Sequence, residues 1–254
     1  MFTSRPATAT ATAAPAAAAP SSATPAASAG GRASGERRAA RLAGALYLLT
    51  FLASIPAVAL LGPVLGDPGY VLGPGADAQV VAGTLLDVVN ALACVGTAVV
   101  LFPLLRRHGE SLALGFVASR LVEAAVILVG VVSLLAVVTL RQQGAGAADP
   151  GALVAVGGAL VAVRDWTFLL GPGVMAAVNA LLLGTLVYRS RRVPRVIPLL
   201  GLVGAPLLLA SGIATLFGVN DQLSAWSAVA VAPIFCWELS LGLWLLVKGL
   251  RPAA

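Results

Sequence analysis

The chain has 254 residues, of which 59% are hydrophobic and only 10% are charged, with a formal net charge of +6 at pH 7. Because soluble domains carry roughly a quarter charged residues, a chain this apolar could not cover a water-exposed surface with polar groups, which excludes an ordinary soluble protein. The basic residues form no patch interleaved with aromatic residues, so no nucleic-acid partner is predicted. The expected partner is the lipid bilayer.

Residues 1–35 consist mainly of Ala, Pro, Thr, Ser and Gly. Such a segment buries too little apolar surface to offset its conformational entropy, so it is predicted to be a disordered cytoplasmic tail. A twin-arginine or secretory signal is the alternative interpretation of Arg37-Arg38 and the apolar run that follows. That run has about 20 residues, longer than a signal core, and five more runs follow it. The sequence therefore favours a retained first helix.

Six apolar runs are long enough to cross the membrane, since a spanning helix needs about 20 such residues. They lie at about 42–63, 80–105, 112–140, 166–188, 196–218 and 225–247. The predicted fold class is an all-α polytopic membrane bundle of six transmembrane helices, formed by residues 36–254. The apolar stretch 151–163 is too short to span; Asp149-Pro150 predicts that a helix begins there. This stretch either lies at the outer interface or extends helix four.

The basic residues predict the orientation of the bundle, because cytoplasmic loops carry an excess of Lys and Arg. With the N-terminus inside, the outer segments hold only Arg141 and Arg164. The predicted cytoplasmic segments hold Arg5, Arg32, Arg37, Arg38, Arg41, Arg106, Arg107, Arg189, Arg191, Arg192, Arg195, Lys248 and Arg251. Both termini are therefore predicted to be cytoplasmic, and a seventh span at 151–163 would place Arg189–Arg195 outside.

Charged residues inside the third and sixth runs form a first candidate site. An ionisable side chain near mid-bilayer costs about 2.5–3.5 kcal/mol on insertion scales, so it is paired or faces a cavity. Arg120 and Glu123 are i,i+3 neighbours on one helix face, and helix direction brings Glu238 to a similar depth. A guanidinium has donors for a second carboxylate. This cluster either lines a solute or proton path or clamps helices three and six together.

The second run carries a polar stripe at helical spacing. In a membrane helix such a stripe faces protein or water and not lipid. Its members are Gly83, Thr84, Asp87, Asn90, Cys94 and Thr97. Asp87 and Asn90 therefore join the candidate polar cluster. The sequence leaves open whether Asp87 pairs with Arg164 or with the Arg120 cluster.

The motif Arg164-Asp165-Trp166 precedes the fourth run. It is predicted to fix the interfacial start of helix four, with Trp166 in the aromatic belt. The alternative is that it gates an outward-facing cavity.

Small residues form ridges on helices four and five, which let helix backbones approach closely. The ridge residues are Gly173, Ala177, Ala180 and Gly184, followed by Gly201, Ala205 and Gly212. These helix faces are the surfaces predicted for a homo-oligomer or a membrane partner.

Proline can kink a membrane helix and leave carbonyl groups free. Residues of this kind are Pro56, Pro172, Pro206 and Pro233.

Several short motifs recur in order along the chain. They are ESLALGFVASRLVE at 110–123, VRDW at 163–166, LGP at 170–172, Pro194-Arg195, Trp237-Glu238 and WLLVKG at 244–249. Through them, residues 36 to 251 resemble a family of small bacterial membrane proteins known as domain of unknown function 4386. Trp237 stands where that family commonly has Gln. The resemblance implies six spans, a bacterial plasma (inner) membrane and no established activity.

The common catalytic motifs are absent: there is no Walker loop, GxSxG, HExxH or CxxC. The single histidine, His108, lies in a basic turn, and Cys94 and Cys236 show no ligand spacing, so neither a metal nor a cofactor is predicted. Three functions stay open. They are small-solute or proton-linked transport, a structural or regulatory membrane subunit, and, with least support, a membrane-embedded enzyme. The small-molecule ligand is not identified.

Overall fold

The computed structural model describes residues 25–144, 149–222 and 224–251, and this part of the chain is helical with no strand. The helices are α1 (Pro25–Gly66), α2 (Asp77–Leu105), α3 (Glu110–Gln143), α4 (Pro150–Phe168), α5 (Ala176–Ser190), α6 (Val196–Leu216) and α7 (Ala225–Val247). A 3-10 turn, Arg106–His108, follows α2, and a π-helical segment, Leu169–Met175, joins α4 to α5. Within the described residues, six helices are long and apolar enough to cross a membrane. The predicted six-helix membrane bundle is confirmed.

The fourth membrane-crossing helix is a continuous rod from Pro150 to Ser190 that contains α4, the π segment and α5. Asp149 caps it, since its Oδ1 accepts hydrogen bonds from the backbone N–H groups of Gly151 at 2.9 Å and Ala152 at 3.1 Å. Pro150 stands at the first helical position, where its missing N–H costs nothing. The stretch 151–163 thus extends helix four.

The predicted tail falls mostly on residues that the structure does not describe. Helix α1 begins at Pro25, inside the segment 1–35, so the helix begins earlier than the predicted domain boundary at residue 36. Residues 1–24 lie outside the described ranges. Disorder of the tail therefore stays a prediction.

The helices pack as a closed ring. Helix α1 packs on α2 and α7, α3 packs on α2, α4 and α5, and α6 packs on α5 and α7. One apolar core, with Tyr47, Phe116 and Trp237, fills the half of the ring nearer the end of α7. A second, around Leu61 and Leu134, fills the opposite half. The polar side chains described below lie between these two cores.

At the end of the ring where α7 ends, here called the terminal face, Glu36 is shared by two arginines. Its Oε2 accepts a hydrogen bond from Arg192 Nη2 at 2.5 Å, and its Oε1 accepts one from Arg107. Arg192 is buried and donates from Nε to the carbonyl oxygen of Arg251 at 2.7 Å. This network joins α1, the turn after α2, the α5–α6 connection and the residues after α7.

At the opposite end, here called the far face, Asp77 holds the α1–α2 connection against the end of α3. Asp77 Oδ1 accepts hydrogen bonds from Arg141 Nε at 2.6 Å and from the Tyr70 hydroxyl at 2.9 Å. Gln142 Nε2 donates to Asp77 Oδ2 at 2.9 Å. Burial raises the pKa of Tyr70 to about 12. The phenol therefore remains a donor to Asp77 throughout the physiological pH range.

The small-residue ridges are covered by helices of the same chain. Ala177 and Ala180 are fully buried in the main core. A Cβ at Gly184 would meet Leu202 at 3.3 Å, and one at Gly201 would meet the Trp237 indole at 2.8 Å. These contacts place the ridge residues against helices of the same chain, and a homo-oligomer or a membrane partner stays a prediction. The close approach that small residues allow is used between α5, α6 and α7.

Helices α1 and α7 cross with their backbones in contact. A Cβ at Gly44 would lie 2.6 Å from the carbonyl oxygen of Gly242 and 3.0 Å from the carbonyl carbon of Leu245. A Cβ at Gly242 would in turn meet Cβ of Tyr47 at 3.0 Å. Two glycines therefore face each other where the first and last helices close the ring, and the crossing places α7 beside Tyr47.

Candidate functional site

A cavity of about 200 Å³ lies in the middle of the ring, between the two apolar cores. It is bordered by α1, α2, α3, α4 with the π segment, α5 and α7. Its polar lining consists of Thr50, Ser54, Asp87, Asn90, Cys94, Arg120, Glu123, Arg164, Thr167 and Glu238. The structure thus gathers around one space all five residues of the predicted polar cluster.

Arg120 is the centre of this site. It is buried, and its Nη1 donates to Glu123 Oε2 at 2.8 Å, across the i,i+3 spacing of α3. Its Nη2 lies 3.4 Å from Oε1 of Glu238 on α7. One guanidinium therefore contacts carboxylates on two helices that are far apart in the sequence, as the planar fork of arginine allows.

Further side chains hold the Arg120 guanidinium in place. The Tyr47 ring of α1 lies below it, with 5.1 Å between the guanidinium carbon and the ring centroid, and the Phe116 ring is 5.8 Å away. Cys94 Sγ lies 3.5 Å from Nη1. Cation–π contacts of this kind are strongest where the cation is desolvated. Neither ring was predicted from the sequence, although Phe116 stands one helical turn before Arg120, a spacing that indicates such a contact.

Asn179 on α5 also belongs to the site and was not predicted. Its Nδ2 donates to Glu123 Oε2 at 2.6 Å, and the residue is buried. Its Oδ1 is buried too and has no hydrogen-bond partner in the described part of the chain. Its signal in the sequence is a single amide within an apolar run.

A second ion pair lies nearer the far face. Arg164 Nη2 donates to Asp87 Oδ2 at 3.1 Å, and both side chains are buried. Arg164 also covers the Phe168 ring at 4.9 Å. It packs over Gly130 of α3, about 10 Å along that helix from Glu123. The pairing settles the choice left open for Asp87 in favour of Arg164.

The motif Arg164-Asp165-Trp166 lies well inside a helix that begins at Pro150. The prediction that it fixes the start of helix four is corrected, because the helix continues through residues 151–163. Within the motif only Arg164 faces the ring interior, while Asp165 and Trp166 are exposed on the outer surface of the helix.

Asn90 lines the cavity, and its Oδ1 is 3.9 Å from Cys94 Sγ.

Among the described residues that line it, the cavity has three carboxylates and two guanidinium groups, one carboxylate in excess. Asp87 is matched by Arg164, and Glu123 is matched by Arg120 and further bonded to Asn179. Glu238 makes only the 3.4 Å contact through Oε1; its Oε2 has no hydrogen-bond partner among the described residues. Glu238 is therefore the carboxylate in excess.

The π segment forms one wall of the cavity. It contains Pro172 between Gly171 and Gly173, and the missing proline N–H disrupts regular α-helical bonding. Phe168 and Pro172 line the central cavity and also a second one of about 190 Å³ against α6 and α7. The hydroxyl groups of Ser211 and Ser227 border that second cavity, 3.3 Å apart. A π turn of this kind is often found at a functional site.

Within the described ranges, no three His, Cys, Asp or Glu side chains come together closely enough to hold a metal ion. The carboxylates of the cavity are instead held by arginine and asparagine.

Comparison with known proteins identifies one family. The model of the family described as Domain of unknown function (DUF4386) matches residues 42–249. This match confirms the family that the motifs from residue 110 to residue 249 predicted. No curated protein and no solved structure matches the chain.

Proposed function

Because the chain belongs to a family described only as a Domain of unknown function (DUF4386), we propose a function from the site itself: the central cavity carries protons, alone or together with a small solute, across the membrane. The observation on which this proposal depends is Glu238, a carboxylate facing the cavity without a full complement of partners. A buried carboxylate with a purely structural role would be expected to have both of its oxygen atoms hydrogen-bonded.

The position of the two ion pairs supports a path through the ring. Arg120 with Glu123 and Arg164 with Asp87 lie at two levels of one cavity. Intramembrane ionisable groups commonly mark proton relays and solute paths. A proton or solute at Glu238 would thus have Arg120 and Glu123 at its own level and the Arg164–Asp87 pair on the side of the far face.

Proton flux in proteoliposomes tests this function. Vesicles that contain the purified protein and an internal pH-sensitive dye would be given a membrane potential, first without solute and then with external amino acids, sugars and small amines. Wild-type vesicles are expected to change internal pH faster than protein-free vesicles in at least one condition. Glu238→Gln should bring the rate down to the protein-free level.

Glu110→Gln is the matched control, because Glu110 is exposed at the start of α3 and far from the cavity. It should retain the wild-type rate. Equal rates for wild type and Glu238→Gln under every condition would refute transport through this cavity.

We also propose that both termini face the cytoplasm of a bacterial plasma membrane, with the terminal face inside. The asymmetry of basic residues supports this orientation. Green fluorescent protein fused after Ala254 should fluoresce, and alkaline phosphatase fused after Gly218, at the far face, should be active. An active phosphatase after Ala254 would contradict the proposed orientation.

A second candidate function, a structural or regulatory membrane subunit, is favoured by the contact of Arg120 with both α3 and α7. In that case the cluster locks helices together and carries nothing. The flux measurement separates the two candidates, since a pure clamp gives stability without flux.

A further inference from the structure

We propose that the central cavity binds a small monovalent organic cation at Glu238, and that this cation and a proton compete for the same carboxylate. The inference rests on the proposed transport function and names its substrate class. It depends on three observations: the charge balance of the cavity, the groups in it that have no partner, and its apolar walls.

The charge balance favours a cation. Three carboxylates and two guanidinium groups line the cavity, so its net charge is −1 when all are ionised. An uncompensated charge in a low-dielectric interior is costly, and it is relieved by protonation or by a counter-ion. Since Arg164 is occupied by Asp87, and Arg120 is shared with Glu123, the compensating group belongs at Glu238.

The neighbours of Glu238 leave space for such a group. On α7 itself, Glu238 is the only ionisable side chain of the cavity, and α6, which packs beside it, carries none. The charged and titratable groups on the other surrounding helices are Tyr47 on α1, Asp87 and Cys94 on α2, Arg120 and Glu123 on α3, and Arg164 on α4. All the cations in this set are already paired with a carboxylate.

Several polar atoms around the cavity have no partner in the described chain. Glu238 Oε2 is one, and the Ser54 hydroxyl on α1 is another. The buried Oδ1 of Asn179, beside Glu123, is a third. These three are acceptors or can act as acceptors; among the described residues Arg120 Nε is a buried donor that also has no hydrogen-bond partner. A ligand that carries positive charge fits the free carboxylate oxygen of Glu238, since Arg120, the cation beside it, is already engaged by both Glu123 and Glu238.

The remaining walls are apolar. Phe51, Ile55 and Val58 of α1 face Ile127 of α3 and Pro172 of the π segment across the space. Phe51 is held by an edge-to-face contact with Phe235, with 5.0 Å between the ring centroids. A strongly hydrated inorganic ion would lose its water against such walls. A compact ammonium ion with alkyl substituents is complementary to both the walls and the carboxylate.

Competition follows because one carboxylate serves both ligands. Binding of the cation to protonated Glu238 leaves the carboxylate paired with the cation and releases the proton to solvent. No bond other than the O–H bond is broken. Apparent affinity for the cation must therefore rise with pH over the range in which Glu238 is protonated in the cation-free protein, by up to about tenfold per pH unit.

Tetramethylammonium is the probe for this site. Purified protein in weakly buffered detergent solution would be titrated with it, and both heat and released protons would be measured. Wild type is expected to release about one proton per bound ion at the lower end of the working pH range. Glu238→Gln should abolish both signals, and Glu110→Gln should leave both unchanged.

A second variant keeps the test informative if Glu238→Gln does not fold. Ser54→Leu fills the α1 side of the cavity and leaves every ion pair intact, so it should block tetramethylammonium while the melting temperature stays close to wild type. Binding that is unchanged in both variants, or binding without proton release at any pH, would overturn the inference. So would absence of binding in wild type.

The outcomes also separate this inference from the proposed transport. Proton flux that depends on Glu238, without tetramethylammonium binding, would retain the transport function and reject the cation. Binding with proton release, but without flux in proteoliposomes, would retain the cation site and reject transport.

Discussion

Replacing Arg120 by alanine is expected to lower the free energy of unfolding by about 3–5 kcal/mol, which is the usual cost of removing one partner from a buried ion pair. The substitution would leave Glu123 and Glu238 facing each other in the membrane interior with no cation between them. It would also remove the cation–π contact with Tyr47. Unfolding by titration with a denaturing detergent in mixed micelles would measure the change.

The matched control is Arg38→Ala. Arg38 is exposed on α1 near the terminal face, and surface substitutions of this kind usually stay within about 0.5 kcal/mol. The double variant Arg120→Ala with Glu238→Gln should recover part of the loss, because the excess carboxylate is then neutral. Strict additivity of the two single changes would contradict direct coupling between α3 and α7.

Replacing Gly44 by alanine is expected to be the second severe change. Overpacking a well-packed interior costs typically about 1–3 kcal/mol, and here the added methyl group meets backbone atoms of Gly242 and Leu245, which cannot rotate away. Helices α1 and α7 must separate, so the melting temperature should fall and the contact between Arg120 and Glu238 should weaken with it.

Gly62→Ala provides the comparison on the same helix. A Cβ at Gly62 meets nothing within 4 Å, and alanine is favoured over glycine inside a helix by about 1 kcal/mol. Thermal unfolding in detergent should therefore show Gly62→Ala equal to or more stable than wild type and Gly44→Ala clearly less stable. Equal behaviour of the two variants would mean that the helix crossing is looser than the structure describes.

The six spans could be predicted because membrane thickness imposes a length on every apolar helix. Proximity of Arg120 to Glu123 could be predicted as well, since it depends only on helical spacing. The choice of Arg164 as the partner of Asp87 could not, because periodicity along one helix does not say which helices are neighbours in the ring. For the same reason the sequence predicted an interfacial position for a motif whose arginine is buried.

The contact of Asn179 with Glu123 and the close crossing of helices at Gly44 could not be predicted from the sequence either, because both depend on which helices are neighbours. Glycine occurs 28 times in the chain, and nothing in the local pattern distinguishes Gly44, which meets a backbone, from Gly62, which meets nothing. The kinking effect of Pro172 was predicted, but the π segment that it lies in, and the cavity on each side, depend on how α6 and α7 pack beside it.

The arrangement of the cluster also has a consequence for the order in which the chain enters the bilayer during synthesis. Chains emerge from the ribosome N-terminus first, so Arg120 is inserted well before Glu238 has been made. Glu123, one turn along the same helix and 2.8 Å from the guanidinium, neutralises Arg120 at once and lowers the cost of inserting α3. Asp87 has no cation within its own helix, so its carboxylate is paired only after Arg164 has been inserted. When α7 is inserted, the Glu238 carboxylate therefore meets an Arg120 guanidinium that is already paired with Glu123.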